Sequence, residues 1–562
     1  MNRLSGDRPQ SVLVHWLRDG SPGVWLTAGA VSFCLIMVFG LLTLIAVRGL
    51  GHFWPATVVR LTLVGAAADQ RYALGEIADE EIVTAARLAD NGVAVPPGQE
   101  FIHRTLLKIG NRNLNGFDFK WFNETEIESS ATPRRAAVIE RQEWGNFYGF
   151  VTGLREAGQT VEINGSPWPE VRRRIARAHH LRRAIADVEK RRMGAINYQL
   201  EQLRLATRRL ELRGIVGAAP LAAIAATRAD LDQRYADLGA ELAGLNTKAG
   251  RDVLLVKTVN DQPSEIRIYD IVRAFTPNRM STVAKLRQYC VKLAEFVATD
   301  PREANTEGGV FPAIFGTVMM VLLMSVFVTP FGVIAAIYLR EYAHQGLLTR
   351  IVRIAVNNLA GVPSVVYGVF GLGFFVYFVG GSIDHAFFPE ALPAPTFGTP
   401  GLLWSALTLA LLTVPVVIVS TEEGLARIPR SIREGSLALG ATKAETLWRT
   451  VLPMATPAMM TGLILAVARA AGEVAPLMMV GVVKLAPTLP LDGNLPFLHL
   501  DRKFMHLGFH IFDVGFQSPN VEAARPLVYA TALLQVLIIV TLNLAAITIR
   551  NRLREKYNAA ET

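Results

Sequence analysis

The forty residues from Glu434 to Glu473, EGSLALGATKAETLWRTVLPMATPAMMTGLILAVARAAGE, decide the fold of this chain. A polar half runs directly into a long apolar half, and the apolar half carries Arg469 and Glu473 near its end. Ser431 with Glu434, and Thr442 with Glu445, each fit the Ser/Thr-x-x-Glu capping box, in which a hydroxyl accepts from an early helix N–H and the carboxylate reaches back. Two helix starts are therefore predicted. Gly440 stands where the first helix, about Ile432 to Leu439, needs a left-handed residue to end, and Pro453 is expected to stop the second, about Lys443 to Leu452. Gly435 and Gly440 begin the spacing of a phosphate loop, but Ala441 stands where Lys is required and no buried strand precedes it, which argues against ATP binding here.

Working outward, 51% of the 562 residues are apolar and they cluster into long runs, the composition of a membrane protein. The formal charge of +9 does not imply nucleic acid, because Lys and Arg sit beside apolar runs or on one helical stretch with no stacking aromatics among them. Two cysteines, Cys34 in an apolar run and Cys290 in a polar region, are not placed to pair. Six apolar runs are long enough to cross a bilayer: Val24 to Val47, Val310 to Leu339, about Leu359 to Val379, Leu402 to Ser420, Thr456 to Val483, and Leu527 to Ile549. The first exceeds the apolar core of a cleavable signal and is expected to remain as an anchor after a short basic tail with Arg3, Arg8 and Arg18.

Charge sets the expected orientation. Arg340, Arg350 and Arg353 follow the second run, Arg427, Arg430, Arg433, Lys443 and Arg449 lie between the fourth and fifth, and Arg550, Arg552, Arg554 and Lys556 follow the sixth. All share one side if both termini are cytoplasmic. The stretch 434–453 then faces the cytoplasm, and the large segment between the first two runs faces outward. That segment contains a charged helix from about Glu170 to Gly214, with apolar residues at steps of three, four or seven, and a second helical run from Leu221 to Leu245, which together predict an antiparallel hairpin. Val253 to Val259 and Ile266 to Val272 read as strands, and about Thr282 to Val297 as a helix leading back to the membrane. A solvated helix surface accounts for the arginines of the hairpin; attraction of an acidic partner or lipid surface is the alternative.

The expected fold is thus an all-α membrane protein of six transmembrane helices with a largely helical α+β insert. Its parts are a tail (1–23), the first helix (24–47), the insert (48–307), a core with the remaining five helices (308–554), and a second tail (555–562).

Arg469 and Glu473 carry the chemistry. Charges at membrane depth must face a cavity or each other, and their i, i+4 spacing puts both on one helix face. Either they tie helices together or snorkel to the outer interface, or Arg469 offers a forked donor to an anion and Glu473 orients or gates it. Prolines inside the runs (Pro330, Pro363, Pro415, Pro457, Pro476) free backbone groups for a cavity. His506 and His510 are spaced H-x-x-x-H, but Leu507 stands where a zinc protease has Glu. No catalytic or metal constellation is expected.

The stretch from Glu434 to Pro453 resembles the EAA loop of ABC importer permeases: Glu434, Gly440, Leu452 and Pro453 match in register, while Gly435 and Ser436 replace the two alanines and Thr450 the isoleucine. Gly308-Gly309-Val310-Phe311-Pro312, Ala360-Gly361-Val362-Pro363-Ser364-Val365-Val366-Tyr367-Gly368, and Ala468 to Leu477 are similar to the phosphate permeases of the Pst system, the last more to the PstA type than to PstC. The resemblance covers Gly308 to about Arg554 well and leaves the insert unexplained. It implies a permease without enzymatic activity or cofactor of its own, in the bacterial inner membrane. Its implied partners are a PstC-like permease, a PstB-like ATPase dimer, a PstS-like periplasmic phosphate-binding protein, and phosphate itself. Residues 421–453 would be the coupling loop, and Arg469 and Glu473 would lie on the phosphate path. A membrane-anchored sensor of phosphate status, or an importer of sulfate or molybdate, are the alternatives.

Overall fold

The structure is a computed structural model that describes residues 21–65, 67, 70–90, 100–162, 165–214, 218–518 and 521–558. The basic tail with Arg3, Arg8 and Arg18, and the last four residues of the second tail, lie outside the described residues. Among the described residues, six helices are long and apolar enough to cross a membrane: Gly23–Gly51, Phe311–Tyr342, Ser364–Phe387, Leu402–Arg427, Lys443–Gly472 and Ala524–Glu555. We refer to them as the first to sixth spans.

The fourth span is the centre of the bundle. Its Leu402, Leu409, Leu412 and Val417 pack with Met320, Met324 and Val328 of the second span and with Ala466, Val467 and Ala470 of the fifth. Glycines set how close these helices come. A Cβ on Gly332 would fall 2.6 Å from Val417, one on Gly462 2.7 Å from Ser420, and one on Gly424 2.5 Å from Ala458, the small-residue packing that drives helix association where no hydrophobic effect separates helix from lipid. The first span stands apart from this core. It leans on the sixth where Gly49 meets the backbone of Tyr529 and Ala530, and the rest of its surface is exposed and apolar, as a lipid-facing anchor requires.

Two spans depart from the sequence reading. The third starts later than the run assigned to it: Leu359 ends a separate helix, Leu347–Leu359, and the span begins at Ser364 after Pro363. Pro363 holds extended backbone (φ −55°, ψ 136°) and disfavours helix in the residue before it. The span then continues past the apolar run to Phe387, because Asp384 is buried there and accepts from the backbone N–H groups of Phe397 (2.9 Å) and Gly398 (2.6 Å). The fifth span starts earlier and stops earlier than expected, a difference that bears on the site below.

The insert between the first two spans is α+β, and most of its strands lie upstream of the region read as strand from sequence. In chain order these are β1 (Val58–Leu63), β2 (Tyr72–Thr84), β3 (Phe101–Lys108), β4 (Phe119–Asn123), β5 (Ile127–Ala131), β6 (Ala137–Arg141), β7 (Phe147–Glu156), β8 (Gln159–Val161), β9 (Asp252–Lys257), β10 (Pro263–Arg267) and β11 (Ile271–Phe275). They make two antiparallel sheets, ordered β4-β3-β2-β1-β5 and β10-β9-β7-β6-β11 with β8 on the side of β7. Strand alternation sends neighbours to opposite faces. Val138 and Tyr148 pack with Val58 and Leu74, while the adjacent Ile139 and Phe147 face Val171, Ile175 and Ala178 on the helical side.

The expected hairpin is present. Trp168–Ala186, a wide turn Asp187–Met193 and Gly194–Leu212 run as one rod, and Ala218–Ala249 returns beside it. Val188 and Ile196 meet Leu231 and Leu238 along the seam. Buried Arg174 pins the base, bonding Asp252 (2.7 Å), Glu170 (2.9 Å) and Glu156 (2.7 Å). Farther along, the hairpin touches the loops of the bundle on the insert side: Arg209 pairs with buried Glu390, and the Tyr198 hydroxyl donates to the Leu495 carbonyl.

Candidate functional site

The site has two ends, joined by the fifth span. At one end, helix Arg430–Ala438 closes at Gly440, whose φ of +88° is the left-handed geometry expected of it. The Gly440 N–H bonds Leu437 O (3.0 Å) and the Ala441 N–H bonds Ser436 O (3.3 Å), which satisfies the last carbonyls of the helix. The next helix starts at the capping box read from sequence. Thr442 Oγ1 accepts from the Glu445 N–H at 3.2 Å, and a Glu445 carboxylate oxygen accepts from the Thr442 N–H at 2.9 Å.

The other sequence-assigned box does not form. Pro429 stands at the N-cap of the first helix, so Ser431 is already one residue inside it and its hydroxyl cannot reach an orphan N–H from there. Arg433 organises this corner instead. Its guanidinium donates to the carbonyls of Leu425 and Ile428 at 2.8 Å each and pairs with Glu341 at 3.0 Å. Lys443 adds a bond to the Glu341 carbonyl (2.5 Å) and stands over the Tyr342 ring. The elbow is thereby tied to the ends of both the second and fourth spans. Sequence reasoning counted Arg433 and Lys443 only as orientation charges; a basic residue near a helix C-terminus was the available signal.

Pro453 does not stop the second helix. Over Leu447–Val451 the helix widens, and the Leu452 N–H bonds back five residues to Leu447 O. A wide turn relieves the clash between the proline ring and the preceding turn, and Pro453 has no N–H to leave unpaired. The helix therefore runs without interruption from Lys443 through Gly472. Glu434 is exposed on the elbow, and so are three apolar neighbours, Leu437, Leu439 and Trp448; Leu439 is 91% exposed. A polar corner with a protruding apolar rim suits docking against another protein. Leu452 and Pro453 are half-buried at the root of the span.

At the far end the fifth span breaks. Gly472 is its last helical residue, Glu473 takes extended backbone (φ −80°, ψ 135°), and a short helix Ala475–Val480 follows. Arg469 and Glu473 are thus not on one continuous helix face, yet Nε of Arg469 lies 3.5 Å from Oε1 of Glu473. Their side chains keep 32% and 21% of their surface, so the pair borders open space. The break also brings two stretches singled out in the sequence together. A Cβ on Gly368 would lie 2.8 Å from Cα of Pro476, so only glycine lets the third span approach the short helix. Tyr367, one residue earlier, is buried beside Ala470 and Leu477 and donates its hydroxyl to Leu359 O (2.5 Å). Buried Ser405 Oγ and Thr421 Oγ1 on the fourth span have no hydrogen-bond partner.

The arrangement supplies a positive, forked donor with a carboxylate beside it, at a discontinuity in a membrane helix, where irregular backbone is tolerated only if it lines a cavity or is covered by protein. Elsewhere, His506 and His510 are buried in the loop between the fifth and sixth spans, and burial pushes both down to about 4. No cluster of three or more metal-ligating side chains occurs among the described residues.

A family described as "Binding-protein-dependent transport system inner membrane component" matches residues 328–557. The phosphate transport system permease protein PstA 1 of Mycobacterium tuberculosis is 33% identical over 244 residues, which are 43% of this chain and 71% of that protein. PstA of Yersinia pestis is 32% identical over 257 residues, 46% of this chain and 77% of that one. Among solved structures, an inward-facing form of the MetNI methionine ABC transporter aligns with 44% of this chain and 94% of its own, at 19% identity and a TM-score of 0.31.

Proposed function

We propose, for a chain that belongs to the PstA family of phosphate transport permeases, that it is the six-span permease subunit of an ATP-driven phosphate importer. It lies in the bacterial inner membrane with both termini in the cytoplasm, so the elbow faces the cytoplasm and the insert the periplasm. The Lys and Arg concentrated on the elbow and after the sixth span support that orientation.

In this reading a PstC-like permease completes the pore, a separate PstB-like ATPase dimer grips the elbow, and a PstS-like binding protein delivers phosphate from outside. Glu434, Gly440, Leu452 and Pro453 form the coupling end. Arg469 receives the anion, and Glu473 holds the guanidinium until phosphate displaces it, which keeps the charge paired at every stage. The observation that carries the proposal is the uninterrupted helix from the capped elbow to Gly472, directly before Glu473. ATP-driven closure at one end then shifts the charged end between the two sides.

The test is uptake of labelled phosphate by the reconstituted complex. Arg469→Gln should abolish uptake while membrane insertion and ATPase docking persist; normal uptake in that variant removes Arg469 from the path. Competition by unlabelled phosphate, sulfate and molybdate identifies the cargo. Removing about residues 57–294 separates transport from sensing: uptake that survives while phosphate-dependent signalling is lost would give the insert a sensory role.

A further inference from the structure

The insert contains a second place built for an anion. Between the base of the hairpin, the turn joining β10 to β11, and residues 299–302 lies a cleft of about 1050 Å³. Arg182, from the first hairpin helix, and Arg302, from the connection to the second span, both line it.

The other charges of this cleft are accounted for: Arg183 is exposed and donates to the His179 carbonyl of its own helix at 3.5 Å. Asp270 is held by Arg267 (2.8 Å), Glu265 by Arg155 (2.7 Å), Glu295 by Arg273 (2.5 Å) and Asp300 by Lys190 (3.2 Å). Glu140, an acid within electrostatic reach of Arg302, is taken by Lys292 at 2.7 Å, and Glu307, the strand partner of Arg302, lies 3.9 Å from Lys108. Glu143 and Glu189 sit at the exposed rim. The Arg141 guanidinium is spent on Asn113 and on the carbonyls of Trp144 and Gly145.

Arg182 and Arg302 are left. One Arg182 nitrogen donates to Ile271 O at 2.7 Å, but its Nε is buried without an acceptor, and so is Nη1 of Arg302. Burial, with Arg302 adding to it, holds the Arg182 guanidinium below its usual value. Two guanidiniums that line one cleft, each with a buried donor unmet, offer an anion two acceptor-seeking groups that the protein itself does not satisfy.

We propose that this cleft binds a free tetrahedral oxyanion, of the phosphate or sulfate class, between Arg182 and Arg302, at a site separate from Arg469. The site is connected to the bundle. The rod that carries Arg182 continues to Tyr198 and Arg209, which contact the loops at Leu495 and Glu390. Occupancy of the cleft is therefore positioned to steady the hairpin over the insert-side loops. This inference does not depend on the transport reading, because its ligands belong to the insert alone.

The test uses the full chain in nanodiscs of phosphatidylcholine, which supply no anionic headgroup, with hydrogen exchange as the readout. Added millimolar inorganic phosphate or sulfate should protect residues 179–190 and 299–303 in the wild type and in Arg469→Gln alike. Arg182→Gln with Arg302→Gln should weaken that protection at least about tenfold in anion concentration, whereas Arg234→Gln on the return helix should leave it unchanged. Absence of protection in the wild type overturns the proposal without recourse to any variant. So does protection that the double variant retains, or protection that appears only when phosphatidylglycerol replaces phosphatidylcholine.

Discussion

The hairpin and the bundle handle charge in opposite ways. Along the hairpin, Arg173, Arg191, Arg204 and Arg234 each meet a carboxylate three or four residues away, at 2.6 to 2.9 Å, in largely water-exposed positions. In the bundle, Arg433–Glu341 and Arg353–Glu422 each join two different helices, and Arg469–Glu473 stands at a break, at 3.5 Å. Exposed pairs of the first kind, screened by water, add little to stability and serve mainly solubility. A charge kept inside a membrane bundle costs several kcal/mol unless it reaches water or a partner. The looser pair is therefore the more informative one, since it persists against a larger penalty.

This contrast can be broken by placing the same charge in both regions. Ala470→Lys, at a fully buried position of the fifth span, should prevent assembly of the bundle, on the order of 3 kcal/mol or more, seen as loss of folded protein in detergent thermal melts. Next in size is Glu140→Gln, which strands Lys292 in the insert and should cost on the order of 3 kcal/mol of insert stability; urea unfolding followed by tryptophan fluorescence measures it. Gly440→Ala meets no neighbouring atom but keeps a positive φ, so about 1 kcal/mol of strain should appear as weaker ATPase coupling, with the spans intact. Ala226→Lys, on the exposed return helix, should change stability by less than about 0.5 kcal/mol. An Ala226→Lys effect as large as that of Ala470→Lys would end the comparison.

Acid sharpens it from another side. Burial would raise the Asp492 carboxyl, but the Asn494 N–H, Arg502 and His499 outweigh burial and hold it down at about 2. The depressed folded value means that its stabilising contribution is complete above the ordinary carboxylate range and is lost as pH falls from about 4 through about 2. Hydrogen exchange of residues 484–503 should accelerate across that window.

The membrane spans and the elbow were legible because their signals are local: apolar runs of bilayer length, a hydroxyl three residues before Glu445, a glycine at a helix end. The hairpin was legible from its periodicity. Strands β1 to β8 were not read, because β2 mixes Glu76, Asp79, Glu80 and Glu81 into its length and its pairing with β1 and β3 is set by distant partners. The stop assigned to Pro453 failed because the proline rule assumes ordinary α-geometry, which the wide turn relaxes. The Arg182 and Arg302 cleft lies beyond sequence reading, since the two residues are far apart in the chain and paired arginines look the same in sequence as unpaired ones.

The missing interruption at Pro453 has a mechanical consequence. A helix of thirty residues is about 45 Å long, so on the proposed reading a displacement imposed at Thr442 is carried along one continuous helix to Gly472. The helical hydrogen bonding ends at Glu473, where the backbone turns extended. On that reading the stroke is delivered beside the charged pair, at the one place where the chain leaves the helix.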